Sequence, residues 1–177
     1  TYDILKKYKN QFSNLKIFKN KRNKGAGFTR NNSIKNSEGR FLMFCDSDDI
    51  WSKSKIQLQI DFMKRNNSKI SCTYYENFMS EPGDGSYQKF DKKFTYLDLL
   101  KFNQIGTSTA CIDTTSFDLI EMPLIRRRQD YAMWLELSKD IQHIDCIDMV
   151  LVHRRIRKDS VSSCLLYTSD AADESSS

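Results

Sequence analysis

Short apolar runs separate longer stretches of mixed character along this chain of 177 residues. The run at 41–45 reads Phe-Leu-Met-Phe-Cys, with Gly39 before it and acidic residues after it. A continuous apolar run of this length is typical of a strand buried on both faces. Similar apolar or alternating patterns predict four further extended segments, at 15–20, 70–78, 107–113 and 143–156.

Helical periodicity fills the stretches between these runs. The predicted helices lie at 27–37, 52–66, 95–103 and 129–140. Ile56, Ile60 and Met63 share one face of the second helix, and Thr95 is the expected N-cap of the third. The Pro and Gly content of 81–86 predicts a loop. Strands that alternate with helices predict one α/β domain with a largely parallel sheet flanked by helices.

Composition and charge narrow the class of protein. A hydrophobic content of 39% is ordinary for a globular domain, and no apolar run is long enough to cross a bilayer. Five scattered cysteines without a C-x-x-C pair argue against disulfides and zinc and favour a reducing cytosol. Residues 1–40 carry eleven Lys or Arg against Asp3 and Glu38. Such a basic face can bind nucleic acid, anionic lipid or a phosphorylated substrate, and it can equally be solvated surface.

The two ends of the sequence suggest a piece of a longer chain. The first residues contain neither an initiating Met nor a signal-peptide apolar region. From Cys164 onward the composition changes abruptly and resembles a translated sequencing adapter. We therefore expect residues 1–163 to be a partial domain and residues 164–177 to be a non-native tail.

Three carboxylates, from Asp46, Asp48 and Asp49, directly follow the run at 41–45. Open α/β sheets bind their ligands at the carboxyl ends of strands. On an extended backbone Asp46 and Asp48 point to the same side, so they can share one Mg²⁺ or Mn²⁺, whereas Asp49 points elsewhere or caps the next helix. An EF-hand is excluded because the required glycine and glutamate are missing. The alternative is a surface turn followed by a helix cap.

The segment 23–51 resembles the signature of family 2 glycosyltransferases. It contains an Asn-x-Gly opening, an Arg-Asn pair, a hydrophobic strand and Asp-Ser-Asp-Asp followed by Trp. Segment 106–113 is similar to the acceptor-side strand of that family, and 127–140 is similar to its helix with Gln-Asp-x-x-x-Trp. The resemblance implies a GT-A fold. No P-x-Y-N or D-G-S strand of the kind with which the family begins precedes residue 23, so a GT-A-like sheet without its first strands is expected.

The resemblance also implies an activity, the transfer of a sugar from a nucleoside-diphosphate donor to a hydroxyl acceptor with inversion. It implies that Asp46 and Asp48 contact the donor ribose and a divalent cation, Mg²⁺ or Mn²⁺, with Asp49 beside them. It further implies that Arg30 binds the donor and that Asp130 is the general base. One base and one metal ion suffice for a single displacement.

Several of these residues have structural alternatives. Asp130 opens a predicted helix, where an Asp is favoured as a cap. Trp134 can form an apolar floor for an acceptor sugar ring, or it can belong to the core. Arg126, Arg127 and Arg128, with the basic residues of 153–158, can bind diphosphates or a lipid-linked acceptor at a membrane, or can be solvated charge.

We therefore expect a cytoplasmic glycosyltransferase with peripheral contact at the inner face of the membrane, acting in bacterial surface polysaccharide synthesis. Its expected partners are a nucleotide-sugar donor and a saccharide or lipid-linked saccharide acceptor. Because the first strands are missing, the fragment itself is expected to be inactive. One alternative is a basic module that binds nucleic acid through residues 1–40, although its aromatic residues are spaced as in a core. Another is a metal-free scaffold without catalysis.

Overall fold

Five helices and seven strands are found in residues 2–157, the part of the chain that this computed structural model describes. The helices are α1 (Tyr2–Lys9), α2 (Gly25–Lys35), α3 (Lys55–Asn66), α4 (Tyr96–Lys101) and α5 (Gln129–Ser138). The strands are β1 (Phe41–Met43), β2 (Ile50–Trp51), β3 (Ile70–Phe78), β4 (Ser86–Gln88), β5 (Lys93–Phe94), β6 (Cys111–Asp113) and β7 (Ile144–Arg155). Two 3₁₀ turns flank β6, at Thr107–Thr109 and Thr114–Ser116.

The strands form one sheet in the order β1-β6-β3-β7-β2, with β4 beside β3 and β5 beside β7. Within residues 2–157 only β3 and β7 run parallel, and the other pairings are antiparallel. The predicted α/β class is confirmed, but the expectation of a largely parallel sheet is wrong. A strand buried on both faces has the same apolar pattern whichever way its neighbours run, so the pattern does not report their direction.

Strand β6 lies between β1 and β3 and pairs antiparallel with both. Met43 at the end of β1 faces Cys111 at the start of β6. Because the two strands run in opposite directions, the segment that leaves β1 lies beside the segment that enters β6. This register brings the acidic residues after β1 next to the Thr107–Thr109 turn.

Helix α3 presents a different face to the core than its apolar pattern predicted. Ile56 is 51% exposed, whereas Lys55, Gln59 and Met63 are buried at intervals of four residues. The predicted face is therefore wrong for Ile56, whereas Ile60 is half-buried and Met63 is buried as predicted. The polar ends of Lys55 and Gln59 find hydrogen-bond partners inside the protein, which offsets part of the cost of burying them.

Two predicted strands differ from the structure. The segment 15–20 is irregular, although Leu15 and Ile17 are half-buried in alternation with exposed residues, and it pairs with no strand of the described residues. The predicted strand at 107–113 begins only at Cys111. Before it, the amide of Thr109 donates to the carbonyl oxygen of Gly106 at 2.9 Å and closes a 3₁₀ turn.

The apolar core contains side chains from the central strands and from α4 and α5. Its members include Ile70, Cys72, Leu99, Ile112, Met133, Trp134, Leu137 and Ile144. Residues 2–157 contain no helix long and apolar enough to cross a membrane. The predicted tail at 164–177 lies outside the described residues.

Helix α4 supplies a test of local stability at the edge of this core. Thr95 is its N-cap and forms a reciprocal capping box with Asp98, and Leu99 on the same helix is fully buried. Thr95→Ala removes the hydroxyl that accepts from the Asp98 amide, so we expect the free energy of unfolding to fall by about 1 kcal/mol. Urea unfolding measures this change. Thr95→Ser keeps the hydroxyl and should match the parent within about 0.5 kcal/mol; an equal loss in both variants would contradict the capping role.

Candidate active site

An open cleft of about 1670 Å³ lies where the chain leaves β1 and enters β6. The side chains of Arg30, Asp46, Asp48, Asp49 and Asp130 all line it. These are five of the six residues that the sequence singled out. Basic residues of 22–30, 126–128 and 154–155 line the same cleft. Carboxylates and cations in one cleft are suited to a ligand that carries both phosphates and hydroxyl groups.

Helix α2 places Arg30 against Asp46. The guanidinium of Arg30 donates to the carboxylate of Asp46, and both side chains are partly exposed to the cleft. Helix α2 approaches the start of α5 closely, because a Cβ at Gly27 would lie 3.1 Å from the side chain of Gln129. Gly25 begins the helix with φ of +84°, a conformation that favours glycine. The two glycines in this segment therefore serve backbone geometry and close packing.

Asp49 is hydrogen-bonded to two distant parts of the chain. It accepts a hydrogen bond from the hydroxyl of Ser108 at 2.6 Å and another from the backbone amide of Arg155 at 3.2 Å. Burial raises the pKa of Asp49, and these two hydrogen bonds oppose the increase. The predicted option of a helix cap is wrong for this residue, because the N-cap of α3 is Ser54.

Asp48 is paired with a different arginine. Its carboxylate lies 3.3 Å from the guanidinium of Arg157, which follows β7. The carboxylates of Asp46 and Asp48 are thus each paired with one arginine from a separate part of the chain. Neither is buried deeply, so both can exchange these partners for a ligand or an ion from the cleft.

Asp130 lies in the first turn of α5 and accepts a hydrogen bond from the hydroxyl of Thr107. The N-cap of α5 is Arg128, which has a left-handed backbone with φ of +59°. The capping alternative for Asp130 therefore does not hold. Its carboxylate is held over the cleft by a side chain from the turn before β6.

The Thr107–Thr109 turn contacts the acidic residues after β1 and also Asp130. Besides donating to Asp49, the Ser108 hydroxyl accepts from the backbone amide of Asp46 at 3.1 Å. The neighbouring Thr107 donates to Asp130. Sequence reasoning assigned no role to these two hydroxyl groups. The only signal was their place in a segment already similar to the acceptor-side strand.

Buried polar side chains hold this turn from behind. The indole N–H of Trp51 donates to the backbone carbonyl oxygen of Ser108 at 2.9 Å. The side-chain amide of Gln59 donates to the backbone carbonyl oxygen of Thr109, also at 2.9 Å. Lys55 is fully buried, donates to Gln59 and lies with its ammonium 4.4 Å from the centre of the Trp51 ring. Burial lowers the pKa of Lys55 to about 8.

Trp134 does not reach the cleft. The ring is fully buried and packs edge-on against Phe44 at a centroid distance of 6.2 Å. Its indole N–H has no hydrogen-bond partner among residues 2–157. A buried ring cannot form the floor of an acceptor site, so the expectation of an acceptor-side role is wrong and the core alternative holds.

The residues present fit a divalent cation of the magnesium type. Residues 2–157 contain no group of three or more His, Cys, Asp or Glu side chains placed to hold a metal ion by themselves. Mg²⁺ usually takes only one or two protein carboxylates and fills its shell with water and substrate phosphates. Asp46 and Asp48 are both partly exposed to the cleft and can each offer one carboxylate. The backbone between them is a turn, in which the Asp49 amide donates to the Asp46 carbonyl oxygen at 3.0 Å, so the expectation of an extended segment here is wrong.

Comparison with known proteins identifies similar chains. The sequence profile of Glycosyl transferase family 2 matches residues 1–122. The chain is 35% identical over 166 residues to a putative teichuronic acid biosynthesis glycosyltransferase, TuaG, of Bacillus subtilis, covering 92% of this chain and 65% of that protein. It is 35% identical over 153 residues to the Escherichia coli enzyme WfgD, named UDP-Glc:alpha-D-GlcNAc-diphosphoundecaprenol beta-1,3-glucosyltransferase, covering 85% of this chain and 59% of that enzyme.

Solved structures share the fold. The crystal structure of S. aureus TarS 1-349 in complex with UDP-GlcNAc superposes with a TM-score of 0.73 at 23% identity. The superposition covers 91% of this chain and 47% of TarS. The GT-A fold expected from the resemblance is confirmed by this match. The chain spans less than two thirds of the length of each of these relatives.

The buried ammonium of Lys55 makes the free energy of unfolding depend on pH. Because the folded protein loses the Lys55 proton near pH 8 and the unfolded chain holds it to about pH 10.4, this residue makes folding more favourable as pH rises between these values. The variant Lys55→Met has no ammonium at this position, so it lacks this rise in stability with pH. We expect its stability relative to the parent to decline by on the order of 2 kcal/mol between pH 7 and pH 10.

Urea unfolding of the parent and the variant across this pH range measures the difference, which includes the electrostatic coupling of Lys55 to the thiols of Cys45, Cys72 and Cys111. Lys64→Met, on the exposed face of the same helix, is the matched control and should show no such trend. A pH-independent difference for Lys55→Met would show that Lys55 keeps an ordinary pKa.

Proposed function

Because the chain belongs to glycosyl transferase family 2, we propose that its protein transfers a sugar from a nucleoside-diphosphate donor to a hydroxyl acceptor with inversion. The observation that carries the proposal is the Thr107–Thr109 turn. One turn contacts the acidic residues after β1 through Ser108 and Asp130 through Thr107. A donor-binding group and a general base are thereby held in one cleft, as a displacement between two bound substrates requires.

The proposed chemistry is a single displacement at the anomeric carbon. Asp130 accepts the proton of the acceptor hydroxyl while the hydroxyl oxygen forms its bond to that carbon. The bond from the carbon to the diphosphate oxygen breaks, and its electron pair leaves with the nucleoside diphosphate. Thr107 orients the base by donating to its carboxylate. The attack and the departure lie on opposite faces of the sugar, so the configuration inverts.

The negative charge of the leaving diphosphate is the main obstacle to this reaction. We propose that Asp46 and Asp48 hold Mg²⁺ or Mn²⁺, which supplies Lewis-acid stabilisation of that charge when bound. Arg30, beside Asp46, adds a guanidinium suited to phosphate oxygens. Asp49 is placed differently, because its hydrogen bonds to Ser108 and to the Arg155 amide hold the segment in position.

The names of the relatives suggest the substrate class. WfgD uses UDP-Glc and an acceptor joined through a diphosphate to undecaprenol, and TuaG is placed in teichuronic acid biosynthesis. We therefore propose a nucleotide-sugar donor, a lipid-linked saccharide acceptor and a role in surface polysaccharide synthesis at the cytoplasmic face of the membrane. TuaG and WfgD are named as a glycosyltransferase and a glucosyltransferase, and the alternative of a nucleic-acid-binding module is not supported.

The first test concerns the metal carboxylates. In the full-length protein, Asp48→Ala should abolish the gain in donor affinity that Mn²⁺ provides, and Asp46→Ala should weaken it, because the cation needs carboxylate oxygens to bridge protein and diphosphate. Calorimetric titration of UDP-glucose with and without Mn²⁺ measures both effects. Asp91→Ala, exposed and outside the cleft, is the control. Undiminished metal-dependent affinity in Asp48→Ala would exclude a ligand role.

The second test separates a general base from a residue that only supports structure. Asp130→Asn keeps an oxygen that can accept from Thr107, but the amide cannot take up the acceptor proton. We expect near-normal stability and donor affinity with a transfer rate at least about a hundred-fold lower. Asp140→Asn, exposed just beyond α5, is the matched control. Retention of most of the transfer rate by Asp130→Asn would move the base to another residue.

A further inference from the structure

Three consecutive arginines, Arg126–Arg128, stand at the edge of the cleft directly before α5. All three side chains are exposed. Within residues 2–157 their guanidinium groups form no ion pair and donate no hydrogen bond, whereas Arg30, Arg40 and Arg157 each face a carboxylate. Three adjacent positive charges without a counterion repel one another, and they attract a multivalent anion.

The apolar residues just before these arginines are exposed too. Leu124 is 69% exposed and Ile125 is 48% exposed, and both line the cleft. A single exposed apolar residue needs no explanation. A pair of them that adjoins three unpaired arginines forms a surface that is apolar at one end and cationic at the other. We refer to residues 124–128 as the amphiphilic strip.

The amphiphilic strip is held in a fixed position. The side-chain amide of Gln129 donates to the carbonyl oxygen of Ile125 at 2.7 Å and to that of Arg126 at 3.0 Å. The same side chain packs against Gly27 of α2, where a Cβ would lie only 3.1 Å away. The strip is therefore joined to the helix that carries Arg30, and less conformational freedom is lost when a ligand binds to it.

We propose that the amphiphilic strip binds the diphosphate and the first part of the hydrocarbon chain of a lipid-diphosphate acceptor. The inference rests on the proposed function and names the residues that recognise the acceptor. Arginine binds phosphate oxygens through two parallel N–H groups, so Arg126 and Arg127 match a diphosphate, while Leu124 and Ile125 contact the hydrocarbon. Because Asp130 follows the strip by two residues, a diphosphate held there directs the attached sugar toward the base.

Binding of farnesyl diphosphate, a short and soluble lipid diphosphate, tests the strip in the full-length protein. Arg126→Gln with Arg127→Gln should weaken its binding about tenfold or more, because two charge-assisted contacts are lost. Arg128 is left in place because it caps α5. The affinity for UDP-glucose should change less than about twofold. Lys64→Gln with Arg65→Gln removes the same charge from exposed positions of α3 outside the cleft and should leave both affinities unchanged.

A second pair of variants tests the apolar end. Leu124→Asn with Ile125→Asn should weaken farnesyl diphosphate several-fold and leave the binding of inorganic pyrophosphate unchanged, because only the hydrocarbon contacts are removed. Thermal unfolding verifies that both double variants are folded. Equal losses for pyrophosphate and farnesyl diphosphate in the Asn pair would show a plain phosphate site and overturn the lipid assignment.

Two other results would also overturn the inference. One is an equal loss of UDP-glucose binding in the arginine pair, which would assign these residues to the donor. The other is unchanged farnesyl diphosphate affinity in that pair. The proposed function fails separately, if the full-length protein binds none of a panel of nucleoside-diphosphate sugars that includes UDP-glucose and UDP-GlcNAc while it still binds farnesyl diphosphate. Conversely, transfer to a soluble saccharide without binding of farnesyl diphosphate would preserve that function and refute the strip.

Discussion

One short hydrogen-bonded turn fixes the distance between the two chemical halves of the cleft. Ser108 binds Asp49 and the backbone of Asp46, and its neighbour Thr107 binds Asp130. Two adjacent residues have little freedom to move apart, so covalent geometry sets the separation of carboxylates that come from distant parts of the chain. Reactions between two bound molecules are sensitive to displacements of about 1 Å. A turn of this kind controls that distance more tightly than packing between separate helices.

The turn requires support that is costly for the fold. Lys55 and Gln59 occupy core positions that aliphatic side chains fill in most helices of this kind. A buried ammonium is destabilising because it leaves water, and its contacts with Gln59 and the Trp51 ring offset only part of that cost. An apolar replacement of Gln59 gives the helix a simpler core and leaves the carbonyl oxygen of Thr109 without this donor. Stability and site geometry therefore oppose each other at α3.

The sequence was informative where residue type and local order decide the outcome. Asp46 was found because carboxylates directly after a buried strand form a recognisable local pattern, and Asp130 was found through the resemblance of its segment to a family motif; the cleft does contain both. Strand direction was missed, since burial pattern does not depend on it. Lys55 and Ser108 were missed because a buried lysine and a turn hydroxyl acquire meaning only from partners far along the chain. The predicted role of Trp134 was wrong because an aromatic residue one turn after a candidate base can equally contact a sugar ring or pack in the core, and here it packs in the core.

The position of β6 between β1 and β3 also affects how the protein folds. The ladder between β1 and β6 joins Leu42 to Ile112, and Asp49 meets the backbone of Arg155 still further along the chain. Contacts of such long sequence separation form late, because the entropy of closing a large loop must be lost before any of them forms. Part of the cleft lining, including Val152, Arg154 and Arg155, comes from β7, so the cleft is complete only when this last long strand has joined the sheet, and a nascent chain that ends before β7 lacks that wall.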